Sequence, residues 1–269
     1  MILPILKNLL IGWLFISLFA DPAFASIKTG LTRCGHHKTV SVLSGDSLQL
    51  QDGSTISLSD IKAPEFWPVD SPYKSWPYGR TAKLALTDLL RNQEISLWCT
   101  KNTITPFGNI KAHIFLHGNL WLQEWLVENG HAYFFPSTAT QTFTHRLLSA
   151  ENMARRKRLG LWKITGLDFI SATGEGLKPG WFQLVTGKIV SAKHIGKTIY
   201  LNFDTDWRTD FTVQMNTITG KKLVPAGREL SSLEGREIEV KGWVEWSGGP
   251  KVIISHPEQI QFLPFSKSR

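Results

Sequence analysis

The chain has 269 residues, of which 42% are hydrophobic and 19% charged, and its formal net charge is +8 at pH 7. After residue 25 no segment approaches the roughly 20 apolar residues of a membrane-spanning helix, which excludes an integral membrane segment in the rest of the chain. A basic surface favours polyanionic partners, such as nucleic acid, anionic lipid or acidic polysaccharide.

The first 25 residues have the pattern of a secretory signal. Lys7 precedes an apolar segment at 9–20, and the Ala-Phe-Ala sequence at 23–25 is typical of a cleavage site. We therefore predict a signal peptide over 1–25 and export of the remainder to a periplasm or to the outside of the cell. The competing interpretation is an uncleaved anchor or a buried helix. The predicted signal contains one Lys and one Asp, so its removal leaves the net charge at +8.

The first half of the mature chain is predicted to mix strands with three helices. Apolar residues alternate over 39–50, with a bend or bulge at 44–46, and Asp52-Gly53 is typical of a two-residue hairpin turn. Helical spacing predicts the first helix, and Gly130 and Gly160 are expected to end the other two. The predicted helices cover 79–91, 123–129 and 144–159, and the later strands cover 94–100 and 110–116.

The second half is predicted to be a small β domain. Residues 164–178 are rich in Gly, Ser and Thr and have no period, so we expect a linker there. Short strands with turn signals between them fit a small closed barrel. Five strands are predicted, at 184–190, 198–203, 210–214, 237–246 and 252–255. The predicted domain limits are 38–163 and 180–264.

Cys34 and Cys99 are the two cysteines of the chain. In an oxidising compartment an isolated pair is expected to form one disulfide. The rival hypothesis is a metal site in which Cys34 acts with His36 and His37. Adjacent histidines on a strand point to opposite faces and chelate one ion poorly, which favours the disulfide.

Residues 45–48 spell Gly-Asp-Ser-Leu, the signature of the GDSL esterases, whose serine is a nucleophile. That chemistry needs a base to activate the serine and a third group to orient the base. The matching Asp-x-x-His is absent, and a strand and hairpin are predicted where a helix should follow. The esterase hypothesis is therefore disfavoured.

Six ordered blocks of the chain resemble the staphylococcal nuclease (thermonuclease, TNase-like) family over about residues 38–162. The blocks lie at 44–47, 56–65, 77–82, 105–109, 126–132 and 154–162. The resemblance implies an exported bacterial member with an extra C-terminal domain. The expected fold is mainly β with α (α+β), an OB-type five-stranded barrel with three helices, followed by a second small OB-like β-barrel. In the family barrel, the strand after Cys34 lies beside the one that Cys99 ends, which makes a Cys34–Cys99 disulfide reasonable.

The family's chemistry is calcium-dependent hydrolysis of DNA and RNA by an endonuclease, and the resemblance carries over only part of it. Asp46 matches the first calcium carboxylate, and Glu65 matches the general base. Lys62 occupies the position of the second calcium carboxylate. Ala63 occupies the next position, at which the family uses a backbone oxygen as a calcium ligand.

The two arginine positions of the family are also replaced, by Ser57 and Asn109. Neither side chain carries the charge that stabilises a phosphate in the transition state, and losing one such donor costs on the order of 100-fold in rate. The Lys62 ammonium is expected to neutralise Asp46 in place of an ion. Two other residues are candidates to replace the missing groups: Asp60, two residues before Lys62 on the same strand face, as an ion ligand, and Lys111 as a substitute for the second arginine.

Three functional hypotheses follow. The first is a nuclease-fold protein without catalysis that acts as a binding or structural module for nucleic acid, with no cofactor. The alternative is an active metal-dependent nuclease that uses calcium and hydrolyses the phosphodiester bonds of DNA and RNA. The third is that the second barrel binds single-stranded nucleic acid by stacking bases on aromatic side chains. Its stacking candidates are Trp181, Tyr200, Trp207, Trp243 and Trp246. The competing interpretation is that most of these aromatic side chains are buried in the core.

Overall fold

A computed structural model describes residues 28–264, apart from short gaps. The gaps are 39–40, 68, 71–74, 101–103, 106–107, 138–140, 166 and 207–209. The predicted signal peptide lies outside the described residues. Among the residues described, no helix is long and apolar enough to cross a membrane.

The first domain combines strands with three described helices. Its strands are β1 (Thr32–Lys38), β2 (Ser41–Ser44), β3 (Ser47–Gln49), β4 (Thr55–Leu58), β5 (Ile61–Lys62), β6 (Glu94–Cys99), β7 (Ile110–Phe115) and β8 (Tyr133–Phe134). Its helices are α1 (Gly79–Leu90), α2 (Leu122–Glu128) and α3 (Gln141–Arg156). The described strands form one sheet in the order β1-β6-β7-β4-β3-β2 and a second sheet of β5 and β8. Strand and helix faces share one apolar core.

The helix positions largely agree with the sequence prediction, with one correction. Helix α3 ends at Arg156, so Gly160 is not its terminator. Gly160 instead permits a close backbone contact: the Leu161 N–H donates to the Gly130 carbonyl at 2.8 Å. A Cβ on Gly160 would lie 2.2 Å from the Gly130 carbonyl oxygen, which no other residue could tolerate.

The second domain is built almost entirely of strands. They are β9 (Ile170–Ser171), β10 (Phe182–Lys188), β11 (Ser191–Ile195), β12 (Thr198–Asn202), β13 (Thr212–Asn216), β14 (Glu237–Trp246), β15 (Pro250–Ile254) and β16 (Ile260–Phe262), with helix α4 (Thr217–Lys221). The sheet order is β11-β12-β13-β15-β14-β10-β9, and β16 pairs with β14. The predicted fold class, mainly β with α helices and a second β domain, is confirmed.

Three of these strands were not predicted, namely β9, β11 and β16. Strand β9 lies inside the expected linker and pairs with β10. Strand β11 buries only Ala192, because it is the edge of the sheet, and so lacks the alternation that reveals a strand. The domain limits 38–163 and 180–264 stay predictions.

The two domains share an interface with an apolar and a charged part. Tyr133 and Leu161 of the first domain pack with Phe182 and Leu184 of the second in one buried cluster. Lys241 of β14 forms an ion pair with Glu151 of α3, and both side chains are less than 5% exposed. The domains are therefore held together by desolvated contacts.

The Cys34–Cys99 disulfide is confirmed, with the two Cα atoms 5.8 Å apart. It joins β1 to the end of β6, two strands that are also paired by hydrogen bonds. The rival metal site is wrong, because its cysteine is consumed and His36 instead contacts Ser96 and Glu94.

Candidate functional site

Asp46 is held by the tight turn between β2 and β3. The sequence predicts a bend or bulge here, and the antiparallel β2–β3 hairpin agrees with it, because its register shifts between Val42 and Ser44. Gly45 allows the turn to lie against β5 and α1, since a Cβ there would lie 2.7 Å from the Ala63 Cβ and 2.8 Å from the Ala82 Cβ. The turn therefore brings the Asp46 carboxylate to β5.

Both oxygens of Asp46 have partners. The Ala63 N–H donates to Oδ2 at 3.0 Å, and the Ser44 hydroxyl donates to Oδ1 at 2.6 Å. Ala63 thus supports Asp46 through its backbone, and its side chain is fully buried. These two hydrogen bonds from the protein itself fix the orientation of the Asp46 carboxylate.

Lys62 joins the two carboxylates that the family resemblance singles out. Its Nζ lies 3.4 Å from Asp46 Oδ2 and forms an ion pair with Glu65 Oε1. The three side chains are only 16%, 13% and 16% exposed for Lys62, Asp46 and Glu65. Burial acts to lower the pKa of Lys62, but the nearby charges of Asp46 and Glu65 outweigh it and raise the pKa above 10.5. Lys62 is therefore a protonated ammonium at neutral pH.

Glu65 is positioned by the start of helix α1. Its backbone carbonyl accepts the Trp76 N–H at 2.9 Å. A Cβ on Gly79 would lie 2.1 Å from that same carbonyl oxygen, so only glycine lets the helix begin here. The loop between β5 and α1 is thereby closed at its base, and the Glu65 side chain is directed to Lys62.

Ser57 and Asn109, at the two arginine positions, contact each other. Asn109 Nδ2 donates to Ser57 Oγ at 3.3 Å, and the Asn109 N–H donates to Thr105 Oγ1 at 3.0 Å. Ser57 is paired with Ser47 across β3 and β4, and Ser47 contacts Ser44 beside Asp46. The predicted site residues thus form one neighbourhood, with neutral groups where guanidinium groups are expected.

Asp60 does not take part in this pocket, so its predicted rescue role is wrong. Asp60 has a φ of 62°, which breaks the strand geometry on which that prediction depended. Its carboxylate accepts the Ser137 N–H at 2.6 Å and lies 3.5 Å from Nε2 of the buried His113. It faces the core on the other side of β5.

Two tryptophans that the sequence did not assign to the pocket lie over Lys62. The Nζ atom is 6.0 Å from the ring centroid of Trp76 and 5.7 Å from that of Trp243, distances at which a cation is attracted to an aromatic face. Trp76 also stacks on Trp181 at 6.1 Å. Trp181 and Trp243, two of the predicted nucleic-acid stacking candidates, contact Trp76 of the first domain and so belong to the interface between the domains, and a third candidate, Trp207, lies outside the described residues.

The donor set does not fit calcium. Calcium takes six to eight oxygen ligands, usually including several carboxylates. Here an ammonium stands between Asp46 and Glu65. In the part of the chain that the structure describes, no group of three or more His, Cys, Asp or Glu side chains is arranged to hold a metal.

Comparison with known proteins finds a family match in the first domain. Residues 55–164 match the family of staphylococcal nuclease homologues. Two rice proteins (Oryza sativa subsp. japonica), named probable staphylococcal-like nucleases CAN2 and CAN3, are each 30% identical to the chain over 96 residues. That stretch is 35% of this chain and 24% and 23% of the relatives, so the chain spans about a quarter of their length. The region of nuclease homology contains Lys62, Glu65 and Asn109 and begins after Asp46.

Proposed function

We propose that this protein is an exported nuclease-fold protein that binds nucleic acid without cleaving it. The observation that carries the proposal is the Lys62 ammonium between Asp46 and Glu65. This cation occupies the position where hydrolysis in the family needs an ion. The basic net charge of +8 and the nuclease homology support nucleic acid as the partner.

The charge of the pocket opposes catalysis. Two carboxylates and one ammonium leave one net negative charge, and the neighbouring Ser57 and Asn109 add none. A phosphodiester is itself an anion, and its cleavage develops further negative charge on the phosphate oxygens. The pocket therefore offers that group one ammonium already engaged by two carboxylates and no guanidinium; Lys111, which pairs with Ser57 across β4 and β7, is the remaining basic candidate beside it.

Glu65 is also poorly placed to act as a base. A general base must reach the proton of an attacking water. The Glu65 carboxylate is instead bound to Lys62, which is covered by Trp76 and Trp243. Activating water would require this ion pair to break inside a largely buried pocket.

Export is supported by two features. The disulfide between Cys34 and Cys99 is the kind of bond that persists in an oxidising compartment, and the first 25 residues have the pattern of a signal peptide. We therefore assign the protein to a periplasm or to the extracellular medium.

The second candidate, an active calcium-dependent nuclease, is favoured by the retention of Asp46 and Glu65. One assay separates the two. The purified mature chain is incubated with labelled DNA and RNA, with calcium or with a chelator, beside a Glu65→Gln variant and a Glu94→Gln control on the exposed end of β6. We expect no cleavage in any sample. Calcium-dependent cleavage that Glu65→Gln abolishes and Glu94→Gln retains would overturn the proposal.

A further inference from the structure

The second domain has a large cavity on the solvent face of its sheet. Its volume is about 960 Å³, near the upper end of the roughly 300–1,000 Å³ of ligand pockets. Its lining includes Lys193, Tyr200, Asn202, Thr212, Gln214 and Lys251. The cavity belongs to strands β11, β12, β13 and β15, apart from the nuclease-like pocket.

Strand register arranges these side chains in two rows. Lys193 pairs with Tyr200, and Tyr200 pairs with Gln214, which forms the first row. The second row consists of Ser191, Asn202, Thr212 and Lys251. Residues paired across strands project to the same face, so each row is a continuous line of side chains.

The opposite face of the same strands is the core. Ala192, Leu201, Val213 and Val252 alternate with the cavity residues and are buried. The polar rows are thus not a by-product of a poorly packed strand. They are the solvent side of a sheet whose other side is fully packed.

The chemistry of the rows combines a ring, amides, hydroxyls and two cations. Tyr200 is a partly exposed aromatic residue of the cavity lining, between Lys193 and Gln214 in its row, and Lys251 ends the adjacent row. Amides and hydroxyls lie between them, and the Asn202 amide already contacts Ser191 at 3.3 Å and Thr212 at 3.2 Å. Stacking on a ring within a basic groove is how single strands are bound without sequence preference.

Two carboxylates near the cavity reduce its charge. Asp204 lines the rim, where its Oδ1 accepts the Thr205 N–H at 2.6 Å. Glu245, whose side chain is 53% exposed, pairs with Lys251 across β14 and β15, and its carboxylate lies 3.9 Å from the Lys251 ammonium, so it offsets part of that charge. Neither carboxylate lies in the row of Tyr200 and Lys193.

We propose that this cavity is the nucleic-acid site and that it binds a single strand, with a base stacked on Tyr200 and phosphates near Lys193 and Lys251. The assignment rests on the proposed function and names the site at which that binding occurs. We expect a duplex to bind more weakly, because its bases are already stacked and offer no free face to Tyr200.

The test measures the anisotropy of labelled single-stranded DNA and RNA titrated with the full mature chain, beside a duplex of the same sequence. We expect Tyr200→Ala to weaken single-strand binding about tenfold, and Tyr200→Phe to retain it, because the phenyl ring still stacks. The double variant Lys193→Ala/Lys251→Ala is expected to reduce the slope of log K against log salt by roughly 1.4.

Two controls are matched to these variants. Trp246 is 63% exposed but is paired with Pro250, on the opposite face of β15 to Lys251, so Trp246→Ala should leave binding unchanged. Lys157 is an exposed lysine of the first domain, and Lys157→Ala should change binding less than the double variant Lys193→Ala/Lys251→Ala does. Thermal unfolding of each variant shows that it is folded, and the lysine variant tests the site even if Tyr200→Ala does not fold.

The outcomes separate the site from the function. If the wild type binds a single strand and both the Tyr200 and the lysine variants bind equally well, the site is elsewhere, although the proposed function stands. If the wild type binds no nucleic acid at low salt, both fail. Equal binding of the duplex, or displacement by a sulfated polysaccharide with no effect of Tyr200→Ala, identifies a general polyanion surface and overturns the proposal.

Discussion

The indole of Trp243, in the second domain, lies over the ammonium group of Lys62 in the first, with the Lys62 nitrogen 5.7 Å from the ring centroid. This contact joins the candidate active-site pocket to the interface between the domains. The ion pairs of Lys62 are consequently covered on the side that faces the second domain.

Removing the Lys62 charge should destabilise the fold. In Lys62→Met, Asp46 and Glu65 remain in a largely buried pocket with no counter-charge, and breaking a buried pair in this way typically costs about 3 kcal/mol or more. Urea unfolding at pH 7 measures the difference in free energy from the wild type, and Lys157→Met, which changes an exposed lysine, is the control. A loss below about 1 kcal/mol would show that the pocket is hydrated.

The stability that the Lys62 charge contributes depends on pH. The pKa of Lys62 is raised in the folded protein, so its stabilising effect is present in full below about pH 10.5, the unfolded-state value. The effect is lost as the pH rises through the higher pKa of the folded state. On the alkaline side, the stability gap between wild type and Lys62→Met should therefore narrow as the pH rises above about 10.5.

Restoring the missing carboxylate should create a cation site. In Lys62→Asp, three carboxylates face one another without a counter-charge, and a divalent cation relieves their repulsion. We expect millimolar calcium to raise the melting temperature of Lys62→Asp by several degrees and to leave that of the wild type unchanged. Calorimetric titration of calcium gives the affinity directly. Lys62→Asn, which also removes the ammonium but adds no charge, is the control and should respond little.

The interdomain ion pair should show strong coupling between its partners. Lys241→Met leaves the buried Glu151 carboxylate without a cation and is expected to cost about 3–5 kcal/mol. Glu151 Oε1 accepts the Phe134 N–H at 2.9 Å, and a glutamine keeps such an acceptor. The double variant Lys241→Met/Glu151→Gln should therefore recover most of the loss. Chemical denaturation of the two single variants and the double variant yields the coupling energy, and purely additive effects would contradict a desolvated pair.

His113 should make the protein sensitive to mild acid. Burial lowers the pKa of His113 from 6.5 to about 4, although the charge of Asp60 acts in the opposite direction. Between these values the unfolded chain binds the proton and the folded chain does not, so stability rises with pH, by about 3 kcal/mol in total. His113→Phe, which keeps a ring against Phe143 and Trp121, should lack this rise. Unfolding free energies of both proteins at pH 4.5, 5.5 and 6.5 give the difference; parallel curves would contradict the assignment.

Local pattern was enough for two of the elements beside the pocket. The helix at Gly79–Leu90 follows from apolar spacing, and the β3–β4 hairpin follows from Asp52-Gly53, because both depend on residues close in the chain. Edge strand β11 was missed, since a strand that buries one residue has no period. The Lys193 side chain could not be assigned to a groove for the same reason.

The sequence by itself determined which chemical groups this protein has at the positions that matter. It contains a lysine where a carboxylate is expected, neutral Ser57 and Asn109 where arginines are expected, and one pair of cysteines. The identity of each residue can be read directly from the sequence. The tertiary structure alone decided how far the Lys62 amine lies from each carboxylate, which way Asp60 turns and that Trp243 lies over the pocket. Those contacts depend on strand register, on a residue with positive φ and on the docking of two domains, and none of these is encoded in a local periodicity.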